Sequence, residues 1–228
     1  MTSVAMILAA GRGTRMRHLT DHCPKPLLKV GGKTLIEYHI ERLVGAGTER
    51  IIINTAYLGS RLPEALGNGE RWGIVIDYSH EQELGLETAG GIINALPLLG
   101  DMPFIVVNGD VWTDYDFSHL VLPENKLGKL VLTDNPDHNL DGDFGIDQQG
   151  LLSLSALPRY TFSGISIYHP SFFTGLPVGF LPLREPLMKG IENKNLAAEY
   201  YPGEWHDIGT PERLAELDLK LNQSLPRK

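Results

Sequence analysis

The chain has a single cysteine, Cys23, among its 228 residues. No internal disulfide can form, and no cysteine-rich metal cluster can be built. Basic residues are scarce: 20 Lys and Arg stand against 28 Asp and Glu, for a formal charge of -8. That deficit argues against nucleic acid as a partner, and any phosphate site has to concentrate its positive charge locally. No apolar run nears the ~18 residues of a membrane span, so no membrane is expected as a partner. The opening MTSVAMILAAGRG lacks the basic start and long apolar core of a secretion signal, which makes the cytoplasm the expected compartment. Internal repeats are missing too, which excludes solenoids and hexapeptide coils.

What remains is ordinary globular composition, 42% hydrophobic and 21% charged. A chain of this length can hold one α/β domain whose core needs no disulfide or structural metal. The expectation is a single domain over 1–228, with 1–110 and 111–228 as its two halves. Val4 to Ala9 reads as a short buried strand. Residues 10–33 have little periodicity and read as a long loop, a length that points to function. A helix over Thr34 to Ala46 follows, with Ile36, Ile40, Leu43 and Val44 on one face. Further segments alternate: strand Arg50 to Thr55, helix Tyr57 to Leu66, strand Ile74 to Tyr78, a polar turn Ser79 to Glu87, helix Thr88 to Leu96 capped by Thr88, and strand Phe104 to Val107.

This alternation predicts a Rossmann-like α/β fold, a mostly parallel sheet flanked by helices. After Asp110 short strands dominate, at Lys129 to Thr133, Asp143 to Ile146, Leu151 to Leu154 and Thr161 to Tyr168, and they read as a small inserted sheet portion. A strand near Ala197 to Tyr201 and a helix from Pro211 to about Gln223 close the chain. Only Ser224 to Lys228 is expected to be disordered.

The loop after the first parallel strand lies at the carboxyl edge of the sheet, where such folds bind ligands. There "LAAGRGTRM", Leu8 to Met16, packs two glycines and two arginines close together. Glycine lets backbone N–H groups approach phosphate oxygens, and arginine adds charge and paired donors, so the loop reads as a polyphosphate site. A plain solvated turn is the alternative. The dinucleotide fingerprint fails because Met16 stands where its third glycine belongs, and the P-loop fails because Leu27 stands where its first glycine belongs. Gly31 to Thr34 reads instead as a turn and helix cap. Lys25, between Pro24 and Pro26, has a restricted backbone, which favours a fixed lysine. Cys23 reads as a bystander.

"LAAGRGTRM…PKPLLKVGGKTLIEYHI" resembles the start of the sugar-1-phosphate nucleotidyltransferases. The likeness continues through Glu81 to Gly90, "NGD" at 108–110, "DFG" at 143–145, "FSGI" at 162–165 and "WHDIGTPE" at 205–212, in the family's order. It implies transfer of a nucleotidyl group from a nucleoside triphosphate to a sugar 1-phosphate. "VNGDVWTDYDF" and the short length look most like a compact branch that uses UTP and the 1-phosphate of N-acetylmuramic acid.

By this resemblance Arg15 and Lys25 are the catalytic cations. Leu8, Ala10, Gly11, Gly13, Thr14, Glu81 and Gly85 bind the nucleotide. Glu81, or Glu83 as a substitute in a loop one residue long, would accept the base N3–H, and backbone groups at Gly85 or Leu86 would read its carbonyls. Asn108, Asp143, Gly145 and Gly164 bind the sugar. Asp110 and Asp207 hold Mg²⁺. Trp112 and Trp205 would stack on the sugar or brace its floor. One departure stands out. Larger relatives carry a lysine for the sugar phosphate between the "FG" and "GI" strands, where this chain has "LLSLSALPRY" with only Arg159.

Asp114-Tyr115-Asp116 matches the DxD metal motif of many glycosyltransferases and supplies a rival reading. Since Asp110 already ends the strand, the two aspartates are expected to flank a turn or cap a helix near Phe117. A non-catalytic nucleotide-sugar sensor on the same fold is a third reading. The chain lacks the extra elements of tetrameric relatives, so a monomer is expected.

Overall fold

Val4–Leu8 forms β1, the axis of the sheet, in a computed structural model that describes residues 2–82 and 85–224. Glu83 and the tail 225–228 therefore lie outside the described residues. A small hairpin follows, β2 (Lys29–Val30) and β3 (Lys33–Thr34). Then come α1 (Leu35–Gly45), β4 (Arg50–Thr55), α2 (Arg61–Leu66), β5 (Val75–His80), α3 (Glu87–Leu99) and β6 (Phe104–Asn108). The second half contributes β7 (Val111–Thr113), β8 (Gly128–Thr133), β9 (Phe144–Ile146), β10 (Leu152–Ser153) and β11 (Arg159–Tyr168). It ends with α4 (Arg184–Glu192), β12 (Leu196–Tyr200), β13 (Trp205–Asp207) and α5 (Pro211–Ser224).

Strands β6, β1, β4 and β5 run parallel, with β1 between β6 and β4. The chain leaves β1 to one side and returns to the other, so β1 lies at the topological switch point, where a crevice opens at the carboxyl ends. Strands β1, β4 and β6 are buried on both faces, and their apolar residues alternate between two cores. Ala5, Ile7, Ile51, Ile53, Ile105 and Val107 meet Ile36, Ile40 and Leu43 of α1. Met6, Ile52, Phe104 and Val106 meet Ala89 and Ile92 of α3. This is the Rossmann-like architecture the alternation predicted.

The second half extends the same sheet: β11 is antiparallel to β6, β8 antiparallel to β11, and β12 parallel to β8. Among the described residues β7 with β13 and β2 with β3 form separate two-stranded sheets. The long opening loop holds two 3₁₀ segments, Thr14–Thr20 and Lys25–Leu27, which are too short to leave a helical period in the sequence. Helix α4 has no counterpart in the periodicity reading, because Pro186 and Gly190 look like breakers; Pro186 lies in the first turn, where no intrahelical N–H is lost. Helix α3 starts at Glu87 rather than behind a Thr88 cap. Thr34 does cap α1, closing a capping box with Glu37. No helix among the described residues is long and apolar enough to cross a membrane.

His39 ties α1 to β7. It is wholly buried, with Nε2 2.8 Å from the Val111 carbonyl. Burial lowers its pKa from 6.5 to about 4. The unfolded chain therefore takes up a proton below pH 6.5 that the native chain refuses. Stability present above pH 6.5 is lost as the pH falls toward 4, by about 3 kcal/mol at the full extent. Urea unfolding at pH 7.5 and at pH 4.5 is expected to show this loss, and His39→Gln is expected to shrink it.

Candidate active site

The carboxyl ends of β1, β4 and β6 share one register row, with Leu8 beside both Asn54 and Asn108. A cleft of about 630 Å³ opens above that row. Its walls are the opening loop from Ala9 to Arg15, Lys25, the 85–88 turn, and Asp110. It thus gathers eleven sequence-predicted residues: Leu8, Ala10, Gly11, Gly13, Thr14, Arg15, Lys25, Glu81, Gly85, Asn108 and Asp110.

The loop is anchored from below. Met16 is fully buried among Leu28, Val30, Leu35, Trp112, Ile208 and Leu217, and the Gly31 N–H donates to Asp218 of α5 at 2.7 Å. With Met16 pinned underneath, Thr14 and Arg15 stand exposed on the cleft side. Met16 is the residue that breaks the dinucleotide pattern, and its core role explains why a methionine stands there.

Gly13 has a φ of 65°, and a Cβ there would meet Thr20 at 3.1 Å and the Lys25 Cβ at 3.2 Å. Its carbonyl accepts from Met16 N–H at 2.8 Å and from the Thr20 hydroxyl at 3.0 Å. Gly11 has open space where its Cβ would be. Gly13→Ala is therefore expected to cost about 1–2 kcal/mol of stability and to displace Lys25, with kcat falling too. Gly11→Ala is expected to leave stability within about 0.5 kcal/mol. Urea midpoints measured beside steady-state rates separate the two.

Lys25 is 6% exposed, and its Nζ lies 2.6 Å from Asp110 Oδ2. The flanking prolines and the 3₁₀ turn fix its backbone, as the sequence implied. Asp110 sits in the turn between β6 and β7. Register then performs what sequence distance hid: β13 pairs with β7, Asp207 opposes Val111, and the Ile208 N–H donates to the Asp110 carbonyl at 2.9 Å. The two aspartates thus stand on adjoining backbone, with Asp207 just beyond the cleft lining. Among the described residues no group of three His, Cys, Asp or Glu gathers to hold a metal. A pair of carboxylates that leaves the other positions to water and phosphate oxygens suits Mg²⁺, and does not suit the closed nitrogen and sulfur sets that zinc prefers.

On the base side, the Glu81 carboxylate accepts from Asn54 Nδ2 at 2.7 Å and from Leu86 N–H at 2.8 Å. Asn54 in turn accepts from Ala9 N–H at 2.7 Å. One chain of hydrogen bonds so joins the opening loop to Glu81 and the 85–88 turn. The N–H groups of Gly85 and Leu86, expected to face a base, are tied within that turn. Asn54 was missed in the sequence. Its signal was a polar residue at the end of the apolar run RIIINT. Arg12 also lines the cleft, its guanidinium 5.1 Å over the Tyr57 ring.

The sugar-side residues divide. Asn108 lines the cleft. Gly164, at a β11 bulge with φ 76°, gives its Cβ space to the Asn108 side chain. Asp143 and Gly145 are not in the lining: Asp143 accepts from Phe162 N–H at 2.8 Å, and a Cβ at Gly145 would strike Ala156. Arg159 donates to the Asp143 carbonyl at 2.6 Å. Trp112 is buried, and Trp205 donates to the Ser163 carbonyl at 2.8 Å, so both brace. Asp114 accepts from Glu204 N–H at 2.8 Å and from the Tyr201 hydroxyl. Asp116 caps the turn Phe117–His119 through Ser118 N–H at 2.9 Å. The DxD pair is thus committed to the backbone away from the cleft. Burial pushes the Cys23 thiol up, away from nucleophile chemistry.

The family model described as nucleotidyl transferase matches residues 4–150. The chain is 48% identical over 220 residues to the N-acetylmuramate alpha-1-phosphate uridylyltransferase of Neisseria meningitidis serogroup B, a match spanning 93% of this chain and 95% of that one. It is 31% identical over 237 residues to a protein of the same name from Caulobacter vibrioides, spanning 97% and 98%. A solved structure from Bacillus anthracis, described as a glucose-1-phosphate thymidylyltransferase in complex with a sucrose, shares the fold with TM-score 0.84 at 20% identity, over 99% of this chain and 98% of that one.

Proposed function

Because this chain belongs to the nucleotidyl transferase family, we propose that it transfers a uridylyl group from UTP to N-acetylmuramic acid 1-phosphate, releasing pyrophosphate and UDP-N-acetylmuramic acid. The observation that carries the reading is the cleft itself: a glycine-rich loop faces a buried lysine paired with Asp110 of the β6–β7 turn, at the switch point of the sheet. Two relatives that match nearly end to end bear the name of this activity.

A sugar-phosphate oxygen bonds to the α-phosphorus of UTP while the bond to the β-phosphate oxygen breaks. The attacker is already an anion, so the protein supplies position and charge rather than a strong base. Backbone amides from Gly11 to Thr14 cradle the phosphates, with Leu8 and Ala10 beneath the nucleoside. Arg15 neutralises the leaving pyrophosphate. Lys25 neutralises the α-phosphate and the incoming phosphate. Glu81 keeps lone pairs beyond its two internal bonds and accepts the N3–H of uracil, which cytosine lacks. Asn108 faces the sugar, and Asp143, Gly145 and Gly164 shape the wall behind it. Asp110 and Asp207 would hold Mg²⁺, which screens phosphate charge when bound. On this reading the enzyme works in the cytoplasm, in cell-wall recycling, as a monomeric single domain.

Pyrophosphate release with Mg²⁺, UTP and, in parallel, N-acetylmuramic acid 1-phosphate, N-acetylglucosamine 1-phosphate and glucose 1-phosphate tests this. Preference for the first is the expected result. Preference for another hexose keeps the transferase and discards the sugar. Silence with every sugar and nucleotide discards the reading.

A further inference from the structure

The Asp207 carboxylate is held by two side chains that the reaction outlined above does not use. Its Oδ2 accepts from Arg213 Nη1 at 2.6 Å and lies 3.2 Å from His138 Nε2. The same Nη1 meets the Asp207 carbonyl at 3.2 Å and His138 Nε2 at 3.4 Å. Each contact that Arg213 itself makes uses a single guanidinium nitrogen. The Nε and Nη2 of Arg213 donate to nothing among the described residues, and its side chain is 28% exposed. Gly209, which lines the cleft, marks where these groups converge. A Cβ there would lie 3.1 Å from Arg213 Nη1, 3.3 Å from Asp207 Oδ2 and 3.4 Å from Arg15 Nη1.

Two further observations bear on what that arginine does. The 151–160 stretch has no lysine for the sugar phosphate, and its one cation, Arg159, is spent on the Asp143 carbonyl. Arg213 already neutralises the Asp207 carboxylate that a divalent cation would need. A guanidinium and a divalent cation on one carboxylate repel each other, so they compete for it. A displaced arginine still carries its charge and its fork of donors, a geometry that matches a phosphate.

We propose that Arg213 is a displaceable counter-ion: it neutralises Asp207 in the free protein, yields that carboxylate to the divalent cation, and then pairs with the 1-phosphate of the sugar. The second half of the proposal rests on the transferase reading, while the first does not. Arg213 thereby acts as a substrate-binding residue in place of the missing lysine, and it couples metal arrival to sugar binding.

The test uses Arg213→Met, with Arg213→Gln as a second neutral variant should the first fail to fold. Mn²⁺ alone is titrated by electron paramagnetic resonance, and KM is measured for each substrate. The neutral variant is expected to bind Mn²⁺ about fivefold or more tightly than wild type. Its KM for the sugar 1-phosphate is expected to rise about tenfold or more, with the KM for UTP held within about twofold. A merely structural arginine would not tighten Mn²⁺ binding. Unchanged or weaker Mn²⁺ binding overturns the proposal, and so does an unchanged sugar KM. If wild type releases no pyrophosphate with any sugar, the transferase reading fails, and the Mn²⁺ titration still judges the counter-ion by itself.

Discussion

Lys25→Met is expected to lower kcat about 10³-fold, the range for removing a cation that stabilises a transferring phosphoryl group. The lysine is buried, its Nζ lies 2.6 Å from Asp110 Oδ2, and Gly13 packs against its stem. That packing makes its charge preorganised, so it needs no rearrangement as negative charge builds on the α-phosphate. The substitution also strips Asp110 of its partner. Asp110 is half-buried and regains some water, so the stability loss is expected to be about 1–3 kcal/mol. Single-turnover rates separate chemistry from binding, and a thermal melt reads the stability. A kcat within tenfold of wild type would reduce Lys25 to a structural partner of Asp110. It would also remove the main support for charge neutralisation from this side of the cleft.

Arg15→Ala is expected to lower kcat/KM for UTP about 10²-fold while leaving the unfolding midpoint almost unchanged. Arg15 is exposed on the cleft side and has no hydrogen-bond partner among the described residues, so truncation removes charge without removing packing. Asp114→Ala should behave in the opposite way. Asp114 holds the Glu204 N–H and the Tyr201 hydroxyl, and its loss is expected to cost about 1–3 kcal/mol of stability. Its kcat should stay near wild type wherever the variant is folded. Measured together, the pair decides between chemistries. Loss of turnover in Asp114→Ala with an active Arg15→Ala would restore the DxD glycosyltransferase reading.

The sequence was informative where a local rule was enough. Buried strands showed as short apolar runs, and their alternation with amphipathic helices led to the parallel sheet. Thr34 with Glu37 marked the start of α1. The prolines around Lys25 announced a fixed lysine, and the loop after β1 announced a cleft because that position in such a sheet is where ligands bind. Helix α4 was hidden because a first-turn proline and a glycine resemble breakers. Asn54 was hidden because a single polar residue ending a strand carries no period.

What sequence alone determined, then, was the strands of the main sheet, the helices α1, α2, α3 and α5, and the glycine and cation content of the loop after β1, since these depend on residues close together in the chain. What only the tertiary structure decided was which distant groups meet. Asp110 and Asp207 come together because β13 pairs with β7. Arg213 reaches Asp207 because α5 starts just beyond that strand. Asp114 stands away from the cleft, paired with the Glu204 N–H and the Tyr201 hydroxyl. Strand register and side-chain competition for hydrogen bonds are long-range properties, and no spacing in one sequence encodes them.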